Sequence, residues 1–213
     1  MSDVKAVFWD VGGVILSNGW DKAERAAAIR RFPLDAEDFE ELHEQTLAAF
    51  ETGQITLNEY LKRTVFYREQ PFSLEEFREF MLTRSTENAV TRALLDGITA
   101  TRRYFLATLN NEGAEVNAYR IRTFQLWRNF SAFFSSCYLG TRKPAELIYR
   151  KALEITQRAP EECIFIDDRP ENLEAPRRLG MQAIQFVDAA QLRAELAARN
   201  VEMEAGASSA AVN

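Results

Sequence analysis

The chain has 213 residues, of which 46% are hydrophobic and 27% are charged, the composition of an ordinary globular protein. That length predicts one domain, or a domain with a modest insertion. The formal net charge of -6 argues against a nucleic-acid partner, because binding to a phosphate backbone needs clustered Lys and Arg. No segment approaches the ~18 apolar residues of a membrane span, which argues against a membrane protein.

The first predicted element is an apolar run over residues 4–9, VKAVFW, which stops at Asp10 and the turn-forming pair Gly12-Gly13. This pattern predicts a buried strand with functional groups at its carboxyl end. About ninety residues of helical pattern follow before the next strand, which is too long for a simple crossover. We therefore predict a helical cap over residues 17–90, inserted into an α/β core formed by residues 1–16 and 91–204.

The cap is predicted to contain four helices. Their expected ranges are 21–32, 36–52, 57–69 and 74–83. Thr56 and Ser73 are the expected N-caps, and Ser73 with Glu76 fits a capping box. His43, the single histidine, lies in the second helix among acidic residues, which predicts a surface position without a functional role.

Three further apolar runs resemble the first and occupy residues 104–107, 133–140 and 163–166. The polar residues that follow them are Thr108, Lys143, Asp167 and Asp168. A helix is predicted over 145–157, after Pro144, and alternating strands and helices predict a doubly wound parallel sheet. The small, polar residues 205–213 predict a disordered tail.

Ligands of an open parallel sheet bind beyond the carboxyl ends of its strands, so residues far apart in sequence meet there. Asp10 and Asp168 can share a magnesium ion with the main-chain carbonyl of Gly12, because Mg²⁺ prefers few, hard oxygen ligands. Thr108 can donate a hydrogen bond to a phosphate oxygen, and Lys143 can neutralise charge. Each residue alone is common at turns and caps, but the ordered set favours phosphoryl-transfer chemistry.

Four segments carry a resemblance to a known family. They are DVGGVIL at 10–16, FLATLNN at 105–111, RKP at 142–144 and FIDDRPEN at 165–172. In this order they resemble the four motifs of haloacid dehalogenase-superfamily phosphatases, over nearly the whole chain. The helical insertion is similar to the C1 cap of that superfamily. The pattern is also similar to alpha-glucose-1-phosphate phosphatases and to the N-terminal phosphatase domain of soluble epoxide hydrolase.

The resemblance implies that Asp10 accepts the phosphoryl group and that water hydrolyses the resulting aspartyl-phosphate. It implies Asp168 as the principal metal ligand of the fourth motif, Asp167 as a secondary ligand, and Asn172 as a residue that orients a metal-bound water. The phosphate-binding positions implied are Gly12, Gly13, Thr108, Leu109 and Lys143. Leu109 stands where relatives often carry Asn, but only its backbone N–H has to meet the phosphate.

Gly12 departs from the family pattern, because most members carry a second Asp there that acts as general acid and then general base. Such a group ordinarily contributes about 10²–10⁴-fold to the rate. Glycine preserves the metal-binding carbonyl but cannot transfer a proton. We therefore predict either a substrate with a good leaving group, such as an anomeric or acyl phosphate, or an acid supplied by the cap.

The expected substrate is a small phosphorylated metabolite such as a sugar phosphate, with Trp20 and Asn110 as candidate contacts. Cys137 and Cys163 lie outside any metal-binding spacing and are expected to be buried thiols of a reducing compartment. Together with an N-terminal run too short for a signal sequence, they predict a cytoplasmic protein. Either a monomer or a homodimer is compatible with the sequence.

Three alternative functions remain open at this point. A haloacid dehalogenase would use Asp10 without a metal, although the adjacent acids Asp167 and Asp168 are costly without a cation. A response-regulator receiver domain also combines carboxylates, Thr and Lys, but in a different chain order and without a cap. The absent acid at Gly12 would also suit a weakly catalytic protein that binds phosphate or has a regulatory role.

Overall fold

The computed structural model describes residues 3–204, and at its centre is a five-stranded parallel sheet in the order β3-β2-β1-β4-β5. The strands are β1 Ala6–Trp9, β2 Phe105–Asn110, β3 Ala132–Ser135, β4 Cys163–Asp167 and β5 Gln182–Gln185. The chain extends to one side of β1 through β2 and β3 and to the other side through β4 and β5. The carboxyl end of β1 therefore lies at the topological switch point, where open α/β sheets bind ligands.

Helices cover both faces of the sheet, as the doubly wound prediction requires. They are α5 Ala89–Thr101, α6 Ala114–Thr123, α7 Ser136–Leu139, α8 Glu146–Thr156, α9 Glu174–Arg178 and α10 Ala189–Ala197. Alternate residues of β1 serve opposite faces, because side chains alternate along a strand. Val7 packs in the cluster that includes Leu94 of α5, whereas Phe8 packs in the cluster that includes Ile148 of α8. The expected α/β core is thus confirmed.

The inserted helices form a cap with a hydrophobic cluster of its own. They are α1 Lys22–Arg31, α2 Ala36–Glu51, α3 Leu57–Thr64 and α4 Leu74–Leu82. Phe39, Tyr60 and Phe77 are fully or almost fully buried in this cluster. The cap is therefore a packed unit inserted after β1. The division at residues 17–90 itself stays a prediction, and the predicted tail at 205–213 lies outside the described residues.

Two details of the predicted cap helices are wrong. The third helix ends at Thr64 rather than at residue 69, because Val65 is buried and the amides of Val65 and Phe66 both donate to the Leu61 carbonyl, which closes the helix. Ser73 does cap α4, but Glu76 binds Arg31 instead of completing a box.

The complete capping box lies at the start of α3. Thr56 Oγ1 accepts from the Glu59 amide, while Glu59 accepts from the Thr56 amide.

The apolar run at 133–140 changes from strand to helix at Ser135. The last pair in this part of the sheet joins Ser135 to Asn110, where β2 ends. Past that pair β3 has no strand to continue along within the described part of the chain, and residues 136–139 form α7. Cys163 is buried as expected, whereas Cys137 of α7 is only half-buried, so the prediction for that thiol is wrong.

Among the helices of residues 3–204, none has the length and apolar character needed to cross a membrane.

Candidate active site

The carboxyl ends of β1, β2 and β4 bring most of the predicted site residues together. Asp10 follows β1 directly, Thr108 lies in β2, and Asp167 ends β4 with Asp168 next in the chain. The Asp10 amide donates to the Ile166 carbonyl at 2.8 Å, which extends the β1–β4 ladder by one residue. The parallel sheet therefore fixes the backbone of the predicted nucleophile beside the acidic pair.

Lys143 lies between two of these carboxylates. Its Nζ is 2.9 Å from Asp10 Oδ1 and 2.5 Å from Asp167 Oδ2, and its side chain is only 2% exposed. Burial opposes the lysine charge, but attraction to the two carboxylates outweighs it and raises the pKa of Lys143. Burial raises the pKa of Asp10 to about 7, with Lys143 opposing the shift and Asp167 adding to it. Burial of Asp10, more than repulsion from Asp167, is therefore the main cause of its raised pKa.

The acidic cluster also has the chemistry of a cation site. Asp10, Asp167 and Asp168 present carboxylate oxygens within 4.8 Å of one another. Both Asp167 oxygens accept from Asn172 Nδ2, at 3.0 and 3.1 Å, and one also accepts from the Arg169 amide at 2.9 Å. Asp168 Oδ1, in contrast, is buried and has no hydrogen-bond partner among residues 3–204. A hard divalent cation would satisfy that oxygen, so these residues fit magnesium.

Asn172 therefore has a contact that the sequence did not predict. Its amide holds Asp167 in place directly. Asp168 is left as the member of the pair with an unused oxygen, in keeping with its predicted role as the principal ligand.

Gly13 allows the acidic cluster to approach the first loop. A Cβ at this position would lie 2.3 Å from Asp168 Oδ2, and the backbone has a φ of +76°. Any side chain at residue 13 would therefore displace Asp168. The positive φ is also a conformation that glycine adopts more readily than other residues. Gly12, one residue earlier, lines the cavity described below.

The hydroxyl group of Thr108 forms no hydrogen bond with the rest of the described protein. The residue is 1% exposed, and its Oγ1 has no hydrogen-bond partner within the described part of the chain. Its partner in the β1–β2 register is Trp9, the residue before Asp10. Because buried hydroxyls are normally paired, an unpaired one beside the predicted nucleophile is consistent with a donor kept for a ligand.

The two asparagines after β2 have different positions. Asn110 is buried, and its amide bonds to Asn117 and Ser135, so the structure does not place this candidate substrate contact on the cavity wall. Asn111 does line the cavity and makes two reciprocal bonds to the backbone of Lys143. Asn111 Nδ2 donates to the Lys143 carbonyl at 2.9 Å, and the Lys143 amide donates to Asn111 Oδ1 at 2.8 Å. Asn111 thus fixes the segment that carries the lysine, a role that depends on a loop contact invisible in the sequence.

A cavity of about 420 Å³ opens between the cap and the carboxyl edge of the sheet. Asp10, Gly12, Lys143 and Asn172 line it from the core, and Trp20 lines it from the start of the cap, as predicted for a substrate contact. The basic side chains on its wall are Lys22, Arg25, Arg120, Arg142, Lys143 and Arg169. Acidic side chains line the same cavity, namely Asp10, Asp21, Glu44, Glu51, Glu112 and Glu171, so its wall carries charges of both signs.

His43 is not the surface residue that its acidic neighbours in sequence predicted. It is 2% exposed, lines the cavity, and its Nδ1 lies 2.7 Å from the Tyr60 hydroxyl. The Trp20 indole N–H donates to the same hydroxyl at 3.0 Å, so Tyr60 links His43 to Trp20. Burial, with Arg25 nearby, lowers the pKa of His43 to about 4, although Glu40 opposes the shift. The imidazole is therefore neutral near pH 7.

Two charged residues on the cavity wall were also missed. Glu112 follows β2 and is 9% exposed, and Arg120 of α6 is 3% exposed. Arg120 Nη1 lies 2.5 Å from Glu112 Oε2, and the same guanidinium donates to Ser85 Oγ and to the Asn18 carbonyl. Position after a strand was the one signal for Glu112 in the sequence. For Arg120 there was none, since the contact depends on how α6 meets the two linkers to the cap.

The chain is similar to a known protein family and to characterised proteins. The model described as haloacid dehalogenase-like hydrolase matches residues 4–180. Flavin mononucleotide hydrolase 1 of Arabidopsis thaliana is 30% identical over 165 residues, which is 72% of this chain and 62% of that protein. D-ribitol-5-phosphate phosphatase of Bacteroides thetaiotaomicron is 26% identical over 212 residues, 91% of this chain and 97% of that protein. The chain thus spans less than two thirds of the first relative and nearly all of the second.

Solved structures share the fold at low sequence identity. The HAD family enzyme bt-2542 of Bacteroides thetaiotaomicron, solved with magnesium and inorganic phosphate, has a TM-score of 0.73 at 19% identity, covering 89% of this chain and 98% of that one. L-2-haloacid dehalogenase of Xanthobacter autotrophicus has a TM-score of 0.62 at 16% identity, covering 93% and 84%. At these identities the likeness concerns the fold alone, which phosphatases and dehalogenases have in common.

Proposed function

This chain belongs to the haloacid dehalogenase-like hydrolase family, and from that premise we propose that it is a magnesium-dependent phosphatase of a small phosphorylated metabolite. The observation that carries the proposal is the arrangement of Asp10, Lys143 and Asp167 at the switch point of the sheet, next to Asp168 with its unused oxygen. A dehalogenase that works without a metal has no need of the Asp167–Asp168 pair. A phosphate dianion, in contrast, needs a cation to approach an anionic nucleophile.

The proposed reaction begins with attack of an Asp10 carboxylate oxygen on phosphorus. The Asp10–phosphorus bond forms, the bond to the leaving oxygen breaks, and a water later cleaves the aspartyl-phosphate. Lys143 supplies positive charge beside Asp10, while Thr108 Oγ1 and the backbone amides of Gly12 and Leu109 are the proposed phosphate donors. The Gly13 amide, also expected from the sequence to bind phosphate, instead donates to the Leu16 carbonyl at 2.7 Å.

Asp10, Asp168 and the Gly12 carbonyl would hold the magnesium ion, with Asp167 as a secondary ligand or support. When bound, the ion neutralises charge on the phosphate and on the carboxylates.

The cavity supports a compact, polar substrate. Its volume of about 420 Å³ lies near the lower end of ordinary ligand pockets, and charged residues of both signs line it. A sugar or polyol phosphate can hydrogen-bond to such a wall through its hydroxyl groups. The relative named for D-ribitol-5-phosphate, which aligns over most of both chains, is consistent with that class. A cytoplasmic location and a monomeric or homodimeric state stay predictions.

The test is phosphate release by the purified protein from sugar, polyol, nucleotide and acyl phosphates, with and without magnesium. We expect turnover that requires magnesium and falls to background in Asp10→Asn. The matched control is Asp188→Asn, which changes the N-cap of α10 while asparagine keeps the capping bond. Equal turnover of Asp10→Asn and the wild type would contradict the proposal.

Two further measurements on the purified protein test two of the three alternative functions. Halide release from a 2-haloacid without metal would establish a dehalogenase. Tight binding of inorganic phosphate with no turnover of any substrate would favour a binding or regulatory protein.

A further inference from the structure

The space beside Gly12, where most family members carry a proton-transferring Asp, is occupied in part by Arg120. Arg120 Nη1 lies 3.7 Å from the position that a Cβ of residue 12 would take. A guanidinium group cannot give up a proton at ordinary pH, so Arg120 does not replace the missing acid. It does, however, hold a carboxyl group close to this position.

That carboxyl group belongs to Glu112. Glu112 Oε2 is 2.5 Å from the same Arg120 Nη1 atom. The Arg120 guanidinium group thus lies between the Glu112 carboxyl group and the position of a residue 12 side chain. Glu112 lines the cavity together with Asp10 and Gly12. Its backbone is fixed as well, since the Glu112 amide donates to Ser136 Oγ at 2.9 Å. The glutamate is thus buried, held at both ends and directed to the cavity that contains the nucleophile.

We infer that Glu112 is the catalytic residue that carries out the proton transfers for which most family members use an Asp at the position of Gly12. The inference rests on the proposed phosphatase function and adds a residue to that site. It also differs from the expectation from sequence, since Glu112 comes from the core loop after β2 and not from the cap.

The protons and bonds balance in both steps. As Asp10 attacks and the bond from phosphorus to the leaving oxygen breaks, the protonated Glu112 carboxyl gives its proton to that oxygen, which yields an alcohol and a Glu112 carboxylate. A water then gives one proton to Glu112 while its oxygen bonds to phosphorus. The bond between phosphorus and Asp10 breaks, which releases inorganic phosphate and restores both side chains.

The surroundings of Glu112 suit a group that must act both as acid and as base. Burial raises its pKa to about 7, Arg120 and the Gly113 amide oppose the shift, and Glu51 from the end of α2 adds to it. The Cys137 thiol of α7 also faces this charge, and its own pKa is raised to about 12 by burial and by Glu112. A carboxyl group that titrates near the working pH can both donate and accept.

Other groups on the cavity wall are less suited to this role. Asp21 caps α1 by accepting from the Ala23 and Glu24 amides. Glu51 is ion-paired, as Glu112 is, but its partner Arg142 is not among the groups nearest to a Cβ at residue 12. The other two carboxyl groups of the wall, Glu44 and Glu171, belong to exposed residues. His43 is neutral near pH 7, and a neutral imidazole is a poor acid. Glu112 is the carboxyl group connected through Arg120 to the position of the absent acid.

The test compares two leaving groups. An alkyl phosphate releases an alkoxide that needs a proton, whereas p-nitrophenyl phosphate releases a phenolate that departs without one. In Glu112→Gln we expect the alkyl phosphate rate to fall by about 10²-fold or more, while the p-nitrophenyl rate falls by less than about threefold. Glu51→Gln is the matched control, and we expect it to change both rates by a similar factor, because Glu51 is paired with Arg142.

A purely structural Glu112 would give a different pattern. If it only braces Arg120 against the linkers, Glu112→Gln will lower both rates together, and the inference is overturned. Restoration of the alkyl phosphate rate by about tenfold or more in the double variant Gly12→Asp, Glu112→Gln supports it. The backbone of Gly12 does not have a positive φ, and a Cβ there requires only a small shift of the Asn18 side chain, whose oxygen would lie at 3.1 Å.

Gly12→Asp alone keeps the inference testable if Glu112→Gln does not fold. With Glu112 already in place, we expect the ratio of the alkyl to the p-nitrophenyl rate to change by less than about threefold. A selective rise of the alkyl rate by about 10²-fold would show that the wild type lacks a proton donor, which overturns the inference. A wild-type protein without magnesium-dependent turnover would instead refute the proposed function, and this inference with it.

Discussion

At the scale of single residues, the site contains groups that serve a ligand at a cost to the free protein. Thr108 Oγ1 is buried without a hydrogen-bond partner in the described residues. An unpaired buried hydroxyl lowers stability by about 1–3 kcal/mol relative to an apolar group of the same shape. Selection for folding alone would favour valine at this position, so the threonine is best explained by what it binds.

We predict that Thr108→Val raises the free energy of unfolding by about 1–3 kcal/mol, while phosphatase activity falls by about tenfold or more. Thr91→Val is the matched control. Its hydroxyl in α5 is likewise buried and unpaired within residues 3–204. Neither threonine lines the cavity, but Thr108 pairs in register with the residue before Asp10, whereas Thr91 lies in a helix. Urea unfolding and phosphate release measured on both variants provide the comparison. A loss of activity in Thr91→Val as large as in Thr108→Val would contradict a ligand role for Thr108.

The buried His43 makes stability depend on pH. Its pKa is lowered from 6.5 to about 4, so between these values the unfolded chain takes up a proton that the native protein does not. Stability from the neutral imidazole is therefore complete above pH 6.5 and is lost as the pH falls towards 4.

We predict that between pH 7 and pH 5 the free energy of unfolding of the wild type falls by about 2 kcal/mol more than that of His43→Gln. Urea unfolding at several pH values measures the difference. Because the sequence has one histidine, proton NMR titration reports its pKa directly. Parallel stability curves for the two proteins, or a titration near 6.5, would refute the prediction.

At the scale of elements, local sequence fixed the starts of the cap helices better than their ends. Thr56 and Ser73 are both N-caps, as their chemistry predicts. Glu59 completes the capping box of α3, whereas Glu76, at the same position of α4, does not complete one. Glu76 instead forms an ion pair with Arg31 of α1. A tertiary contact thus decided between two equivalent sequence patterns.

We predict that Thr56→Ala lowers the free energy of unfolding by about 1 kcal/mol, since it removes the hydroxyl oxygen that accepts from the Glu59 amide at the start of α3. Thr83→Ala, at the other end of a cap helix, is the control. The Thr83 hydroxyl only adds a bond to carbonyls of its own helix. Its removal should change stability by less than about 0.5 kcal/mol. Equal losses in the two variants would show that the capping box contributes little.

At the scale of the whole molecule, the cavity exists because the cap docks on the core at a few close contacts. The end of α2 meets α7, where Ser136 Oγ donates to the Glu51 carbonyl at 2.6 Å and Arg142 pairs with Glu51. Gly53, just after α2, allows a close approach of the two backbones. A Cβ there would lie 2.2 Å from the Cys137 carbonyl oxygen.

We predict that Gly53→Ala lowers both stability and kcat/KM for phosphate release, because it separates the cap from the core beside the cavity. Gly140→Ala isolates that effect. Gly53 and Gly140 have similar positive φ angles, +71° and +67°, but a Cβ at Gly140 meets open space. Both variants should lose about 1–2 kcal/mol from backbone strain, and only Gly53→Ala should lose activity. Unchanged kcat/KM in Gly53→Ala would refute a role for this docking contact.

The sequence by itself determined the α/β core, the inserted helical cap and the meeting of Asp10, Thr108, Asp167 and Asp168 at one edge. Strand ends are visible as apolar runs that stop at polar residues, and parallel topology places every carboxyl end at the same edge. Even Lys143, which follows no strand directly, could be recognised from its place in the motif order.

Only the tertiary structure decided how the cavity wall is built. His43 changed from an expected surface residue to a buried one, Asn111 rather than Asn110 reached the cavity, and Glu112 paired with Arg120. The physical reason is the same in each case. These positions depend on which surfaces of cap and core meet, and contacts between segments so distant in sequence leave no periodic pattern in either segment.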